Sequence, residues 1–290
     1  MDYSLHILIL VAIYAGSAIS LDLIAGHTGL VSLCHAAFHG LGAYTTALLA
    51  TRAGIPFPVS ILAGVVIAVL LSFAISLPSF RLHGDYFTIA TFGFQMILFG
   101  LFNNWIELTR GPLGVPGIPA PVIFGWHVDT NLEFLVLAAS FCCFSGFVVY
   151  RITNSPFGRV LHAIREDEVF AQANGKNTLY YKVAAFAVSA ALASSAGSIS
   201  AHYVTFIDPT SFTVMESILV LSMVIIGGAG SPLGPMVGAM ILVTLPEALR
   251  FMDLPTSVAA NLRQMIYGSL LVVMMMFRPQ GLVGRYRFGR

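Results

Sequence analysis

The stretch Ser155-Pro-Phe-Gly-Arg-Val-Leu-His-Ala-Ile-Arg-Glu-Asp-Glu-Val-Phe-Ala-Gln-Ala-Asn-Gly175 is a polar, charged island in a chain that is otherwise almost wholly apolar. Ser155 is placed to cap a helix, and Pro156 to occupy its first turn, where a missing N–H costs nothing. Leu161, Ile164, Glu168, Ala171 and Gly175 follow at helical spacing, which predicts one short helix ended by Gly175. It has too few apolar residues to cross a bilayer and too many for a bare linker. A helix of this kind is suited to the groove of a partner.

Outward from the island, the composition sets the fold class. The 290 residues are 57% hydrophobic and only 9% charged, with a mean hydropathy of +0.87. Soluble domains carry about 25% charged residues, so this chain cannot cover a water-facing surface. The expectation is an all-α, polytopic transmembrane helical bundle forming a single unit over residues 1–290, with no separate soluble domain. A net charge of +1 argues against nucleic acid as a partner. Residues 1–6 lack a basic leader, so the first apolar run reads as a retained span. Cys34, Cys142 and Cys143 lie in apolar runs and read as small buried residues rather than a disulfide framework.

Apolar runs approaching the ~30 Å hydrocarbon core fall at about 5–25, 30–50, 58–78, 86–105, 132–150, 183–202, 213–228, 233–250 and 264–277. Several are short or broken by Gly and Pro, as in transporters whose irregular backbone lines a cavity. Lys and Arg set the orientation. Arg81, the cations around the island (Arg151, Arg159, Arg165, Lys176, Lys182) and Arg278, Arg285, Arg287 and Arg290 fall on one side, which makes the C-terminus cytoplasmic. Arg52, Arg110, Arg250 and Arg263 remain outside. The front end allows two readings: nine spans with Met1 outside, or eight with Met1 inside if residues 27–40 dip in and return.

The island, with its strict spacing, resembles the cytoplasmic loop of LivM-type permeases, membrane subunits of ABC importers for branched-chain amino acids. The resemblance implies that loop 151–182 carries a coupling helix docked on the ATP-hydrolysing subunit, using Gly158, Arg159, Ile164, Arg165, Glu166, Asp167, Glu168 and Gly175. Residues 26–46, with Gly26, Gly29, Gly40 and Gly42, resemble a second family signature, although Cys34 and His39 depart from it. Residues 81–95 and the ending at 277–284 resemble two more. Thr109-Arg-Gly-Pro-Leu-Gly114 resembles a family loop in which Arg110 stands where glycine is usual.

The family places the 26–46 element near the substrate path. Polar groups in hydrocarbon are costly unless paired or lining a cavity. Ser32, His35, Phe38, Tyr44, Tyr86, Phe87, Gln95 and Glu216 are therefore the candidate path residues, with Tyr86 and Phe87 expected as an interfacial aromatic pair. Gln95 could instead bond a neighbouring helix, and Glu216 could cap one beginning near Ser211. His27, His35 and His39 invite a metal reading, but no further ligand stands at suitable spacing, so no metal is expected.

Loop 106–131, rich in Pro and Gly and flanked by Trp105 and Trp126, is expected to be extended and exterior. The small residues of 183–201 predict a central helix. Gly227-Gly-Ala-Gly-Ser-Pro-Leu-Gly-Pro-Met-Val-Gly238 resembles a family signature and reads as a tight helix connection, with Gly227, Gly228, Gly230, Gly234 and Gly238 in helix packing. A phosphate loop would need a Lys-Ser/Thr ending that is absent.

The resemblance thus implies an importer permease of the bacterial inner membrane that is not itself an enzyme. Its partners would be a LivH-like second permease, two ABC ATPase subunits and a periplasmic substrate-binding protein. ATP and Mg would be bound by the ATPases, leaving this chain without a cofactor. Two alternatives stay open: the same machine carrying urea, short-chain amides or another amino acid, and a stand-alone secondary transporter. The second would need an internal repeat and intramembrane charge pairs, neither of which is clear in the sequence.

Overall fold

In the computed structural model, residues 2–80, 85–123, 125–231, 233–250, 256–278 and 280–283 are described. Arg81, Gly84, Arg285, Arg287 and Arg290 lie outside them, as do the side chains of Arg250 and Arg263. The chain folds as α1 (Asp2–Ala25), α2 (His35–Ala53), α3 (Phe57–Ser79), α4 (Asp85–Asn104), the one-turn α5 (Ile106–Thr109), α6 (Asn131–Thr153), α7 (Pro156–Glu166), α8 (Glu168–Ala173), α9 (Thr178–Val204), α10 (Val214–Gly227), α11 (Gly234–Arg250) and α12 (Thr256–Phe277). Helices α1, α3, α4, α6 and α9 are long and apolar enough to cross a membrane, whereas α10 and the apolar stretches of α11 and α12 are shorter.

The helix directions alternate along the described chain. His6 at the start of α1 meets the Tyr203 hydroxyl near the far end of α9 (2.5 Å), while Gly26 beyond its other end meets Arg165 of α7. The N-terminal helix therefore starts at the end of the bundle opposite α7. Residues 29–34 do turn back into the bundle, but the chain then continues as α2 to the far end. There Arg52 donates to the carbonyls of Glu107 and Leu108 (both 2.8 Å). Helices α1 and α2 thus run in opposite directions along the bundle. At the other terminus, Leu282 and Val283 donate to the carbonyls of Ile226 and Gly227 (2.9 Å each), at the same end of the bundle as α7.

The expected central helix is α9. Its small residues let it approach α2 at two glycines: a Cβ on Gly42 would meet the Ser194 carbonyl at 1.9 Å, and one on Gly197 the His39 carbonyl at 1.8 Å. Close backbone approach of this kind is how helices gain contact in lipid, where no hydrophobic force drives them together. Cys34 and Cys142 are buried, but Cys143 is exposed, contrary to expectation. It neighbours Cys142 on α6, and one residue further along a helix turns about 100° to the other face.

Loop 106–131 is less uniformly extended than its prolines suggest. It holds α5, a 3-10 turn at Gly111–Leu113, and two-residue strands β1 (Val115–Pro116), β2 (Val122–Ile123) and β3 (Trp126–His127). β2 pairs with β3, and β1 with β4 (Phe206–Ile207) beyond α9. Thr130 and Glu133 close it with a reciprocal capping box on α6.

Candidate coupling end and polar interior

The island forms two helices rather than the single one expected. Ser155 caps α7, accepting from Gly158 N (3.4 Å), and Asp167 in extended conformation ends α7 and caps α8, accepting from Phe170 N (2.9 Å). A side chain that satisfies an orphan N–H of a new helix favours the break. Gly175 follows α8 at φ 75°, a conformation that favours glycine. A Cβ on Gly158 would lie 2.1 Å from the Thr153 carbonyl oxygen, so only glycine lets α7 begin this close to the end of α6.

The two helices differ in the apolar side chains that they leave exposed. Leu161 and Ile164 of α7 are buried against the chain's own bundle, while Val169 and Phe170 of α8 are exposed. The apolar side chains left for a partner thus lie on α8, and the sequence reading missed both. An Asp three residues before Phe170 was the available signal.

Among the charges, Arg159, Glu166 and Asp167 are exposed. Arg165 turns inward and donates to the Gly26 carbonyl. Glu168 also turns inward: its carboxylate pairs with Lys182 of α9 (2.5 Å) and accepts from the Thr178 hydroxyl (2.9 Å). Lys182, at 6% exposure, has little contact with water, so this pair welds α8 to α9.

Of the candidate path residues, Ser32, His35 and Gln95 gather where α2 begins, inside the bundle. Cys34 offers the first turn of α2 no side-chain cap. Its N–H groups are met from other helices: Ala36 N donates to Ser217 of α10 (2.9 Å), and Ala37 N to the Gln95 carbonyl oxygen of α4 (2.8 Å). The Gln95 amide donates in turn to Phe212 O (2.7 Å), just before α10. Gln95 therefore joins the starts of two helices that both begin at depth. In apolar surroundings such orphan groups must be satisfied within the protein.

His35 meets the Ser20 hydroxyl (2.9 Å) and Ser17 carbonyl (3.1 Å) of α1, and His39 the Ser17 hydroxyl (3.3 Å). Ser32 is buried beside the Cys34 sulfur (3.3 Å). Phe38 packs edge-on to Phe186, and Tyr44 stacks on Phe102 at 4.7 Å between ring centres. Glu216 lies in the first turn of α10, which starts at Val214 rather than near Ser211, and accepts from the Tyr14 hydroxyl of α1. Tyr86 and Phe87 do not form a pair. Phe87 stacks on Phe80 at 4.9 Å, while Tyr86 is exposed, because adjacent helical residues point about 100° apart.

The glycine-rich turn joins α10 to α11 by direct backbone contact. A Cβ on Gly227 would meet the Gly234 carbonyl at 1.8 Å, one on Gly234 the Gly228 carbonyl at 2.0 Å, and one on Gly238 the Met223 carbonyl at 1.9 Å. Gly230 has a different part from the helix packing expected. It sits in the turn at φ 77°, and its N–H donates to the Asp22 carboxylate (2.8 Å).

Alternating apolar helices, joined at depth by hydrogen bonds and glycine contacts, define an α-helical polytopic membrane protein with a polar helix pair at one end. The family described as branched-chain amino acid transport system / permease component matches residues 3–275, and the chain belongs to it. It is 35% identical to the high-affinity branched-chain amino acid transport system permease protein LivM of Salmonella typhimurium, over 97% of this chain and 70% of that protein. It is 34% identical to LivM of Escherichia coli, over 94% and 68%, and 23% identical to LivH of Salmonella typhimurium, over 94% and 91%. No solved structure matches.

Proposed function

We propose that this chain is the permease subunit of an ABC importer that moves branched-chain or related hydrophobic amino acids across the bacterial inner membrane. It works with a LivH-like second permease, two ATPase subunits that bind ATP and Mg, and a periplasmic binding protein. The α7–α8 end and the C-terminus face the cytoplasm, and loop 106–131 faces outward. ATP-driven closure of the ATPases pushes on α7–α8, and the spans pass that motion to a substrate path open to each side in turn.

One observation carries the reading. The two capped helices at the end of the bundle present Val169 and Phe170 outward while Glu168–Lys182 and Leu161 tie them inward. A stiff, docked element of that kind transmits motion that a loose loop would absorb. The test is reconstitution of the chain with its neighbouring subunits in vesicles. Leucine, isoleucine or valine with the binding protein should stimulate ATP hydrolysis and accumulate inside. Stimulation by urea or an amide alone would change the cargo, and accumulation without ATPase subunits would overturn the assignment.

A further inference from the structure

At the α7 end a cavity of about 510 Å³ separates α6 and α7 from Gly230, Ser231 and Leu233, with His27, His162 and Arg165 also on its wall. On this side α7 reaches the bundle through polar ties that cross the gap. One is Arg165 on the Gly26 carbonyl. The other is a pair of imidazoles: His27 Nδ1 and His162 Nε2 lie 3.3 Å apart, with ring centres at 5.0 Å.

Behind the pair stands Asp22, 1% exposed, whose Oδ2 is 3.5 Å from His27 Nε2. Its Oδ1 accepts from Gly230 N (2.8 Å). Asp22, His27 and His162 thus link α1, the segment after it, the glycine turn and α7 in one line.

Resting on the transport reading above, we propose that His27 and His162 are positioning residues of the importer: a two-imidazole pin that fastens the coupling helix to the inner end of α1 and holds only while the neutral pair has gained no more than one added proton. The chemistry follows from the partners. His27 Nε2 lies beside the Asp22 carboxylate at 3.5 Å, and the tautomer that carries the proton on Nε2 presents Nδ1 as an acceptor. His162 Nε2–H then donates to it. One added proton keeps an N–H between the rings, whereas a second puts two cations face to face and removes the acceptor.

The groups facing His162 are His27, Asp22, Arg165 and Glu166, with Tyr150 across the cavity. Burial first, then His27 and Arg165, hold His162 below the ordinary imidazole range, against the opposing pull of Glu166 and Asp22. The sign is that of a depressed base. The pin is whole at neutral pH and is lost as the pH falls below that range.

The experiment uses the assembled importer in vesicles and reads substrate moved per ATP hydrolysed, from about pH 5.5 to 8. His162→Ala should lower that ratio about fivefold, the effect of one hydrogen bond of ordinary worth. His27→Ala should match it, and the double variant should be no worse than either single. His162→Gln keeps an N–H donor that does not titrate, so it should recover much of the ratio and lose the acid limb seen in the wild type. An unchanged ratio in His162→Ala, additive losses in the double variant, or an acid limb that persists in His162→Gln would each overturn the pin. Should His162→Ala fail to accumulate in the membrane, the comparison of His162→Gln with wild type still decides. A wild-type assembly without substrate-stimulated ATP hydrolysis overturns the transport reading instead.

Discussion

The two ends of this bundle carry connecting segments of similar length that are made stiff by opposite means. At the α7 end, loop 151–182 is helical, capped by Ser155, Asp167 and Asn177, and tied down by side-chain charge through Glu168–Lys182 and Arg165. At the far end, loop 106–131 is held by fixed φ angles at its prolines and by backbone pairing. Ile118 N donates to Thr205 O (3.1 Å), His202 Nδ1 meets Pro119 O (2.6 Å), and β1 lies along β4. The first mode gives a lever whose inner side chains are tied to the bundle while Val169 and Phe170 stay exposed. The second gives a strapped surface that buries Val115, Ile118 and Val128 and leaves Leu113 and Trp126 exposed. A part that transmits force needs the former, and a part that recognises a visiting protein is served by the latter, since preorganised backbone lowers the ordering cost of binding.

The largest effect expected from breaking this contrast is at Gly158. Gly158→Leu drives a side chain into the Thr153 carbonyl, 2.1 Å from where its Cβ must go. Overpacking of this sort costs about 1–3 kcal/mol, and here it would tilt the lever itself. Substrate-stimulated ATP hydrolysis should disappear while the protein still inserts; normal stimulation would show that the α6–α7 joint does not carry the motion. A middle-sized effect is expected at the other end. Replacing residues 112–121 by a Gly/Ser linker should weaken capture of the binding protein roughly tenfold, as ordering even one freed residue costs about 1–2 kcal/mol. Co-purification with the ATPase subunits should be unchanged. Loss of the ATPases instead would mean that the two ends are not separable. The smallest concerns Arg110, a non-glycine residue at φ 63°. Arg110→Gly should raise thermal stability by about 1 kcal/mol, the strain of a left-handed backbone, and a fall in the unfolding midpoint would place a stabilising contact at that side chain.

Much of the first mode can be read from the chain. Ser155-Pro156, Gly158 and Gly175 are local signals, and each acts locally: a cap, a close approach, a left-handed turn. The break at Asp167 was hidden because Ile164, Glu168 and Ala171 keep helical spacing across it, so periodicity runs on where the hydrogen bonds do not. Glu168 read as an offered charge since its partner, Lys182, lies beyond a turn and on another helix. The interior was opaque for the same reason. Hydropathy finds the apolar runs at 30–50 and 213–228, but it does not show that both helices start at depth, for that depends on Gln95 and Ser217 meeting backbone groups far away in sequence. Arg110 was legible as a departure from a glycine pattern, and the backbone gives the departure its physical content.

The glycine seam between α10 and α11 bears on how the chain is made. A helix of 14 residues, such as α10, is about 21 Å long and falls short of the roughly 20 residues that a self-sufficient span requires. With the Phe212 carbonyl just before it awaiting Gln95 of α4, it is poorly suited to leave the insertion machinery alone. Packed backbone to backbone with α11 through Gly227, Gly234 and Gly238, it can enter the bilayer as half of a preassembled hairpin. Residues that look like spacers in the mature permease are then its assembly instructions, and a larger side chain at Gly234 would act first on membrane insertion, before any cycle of transport begins.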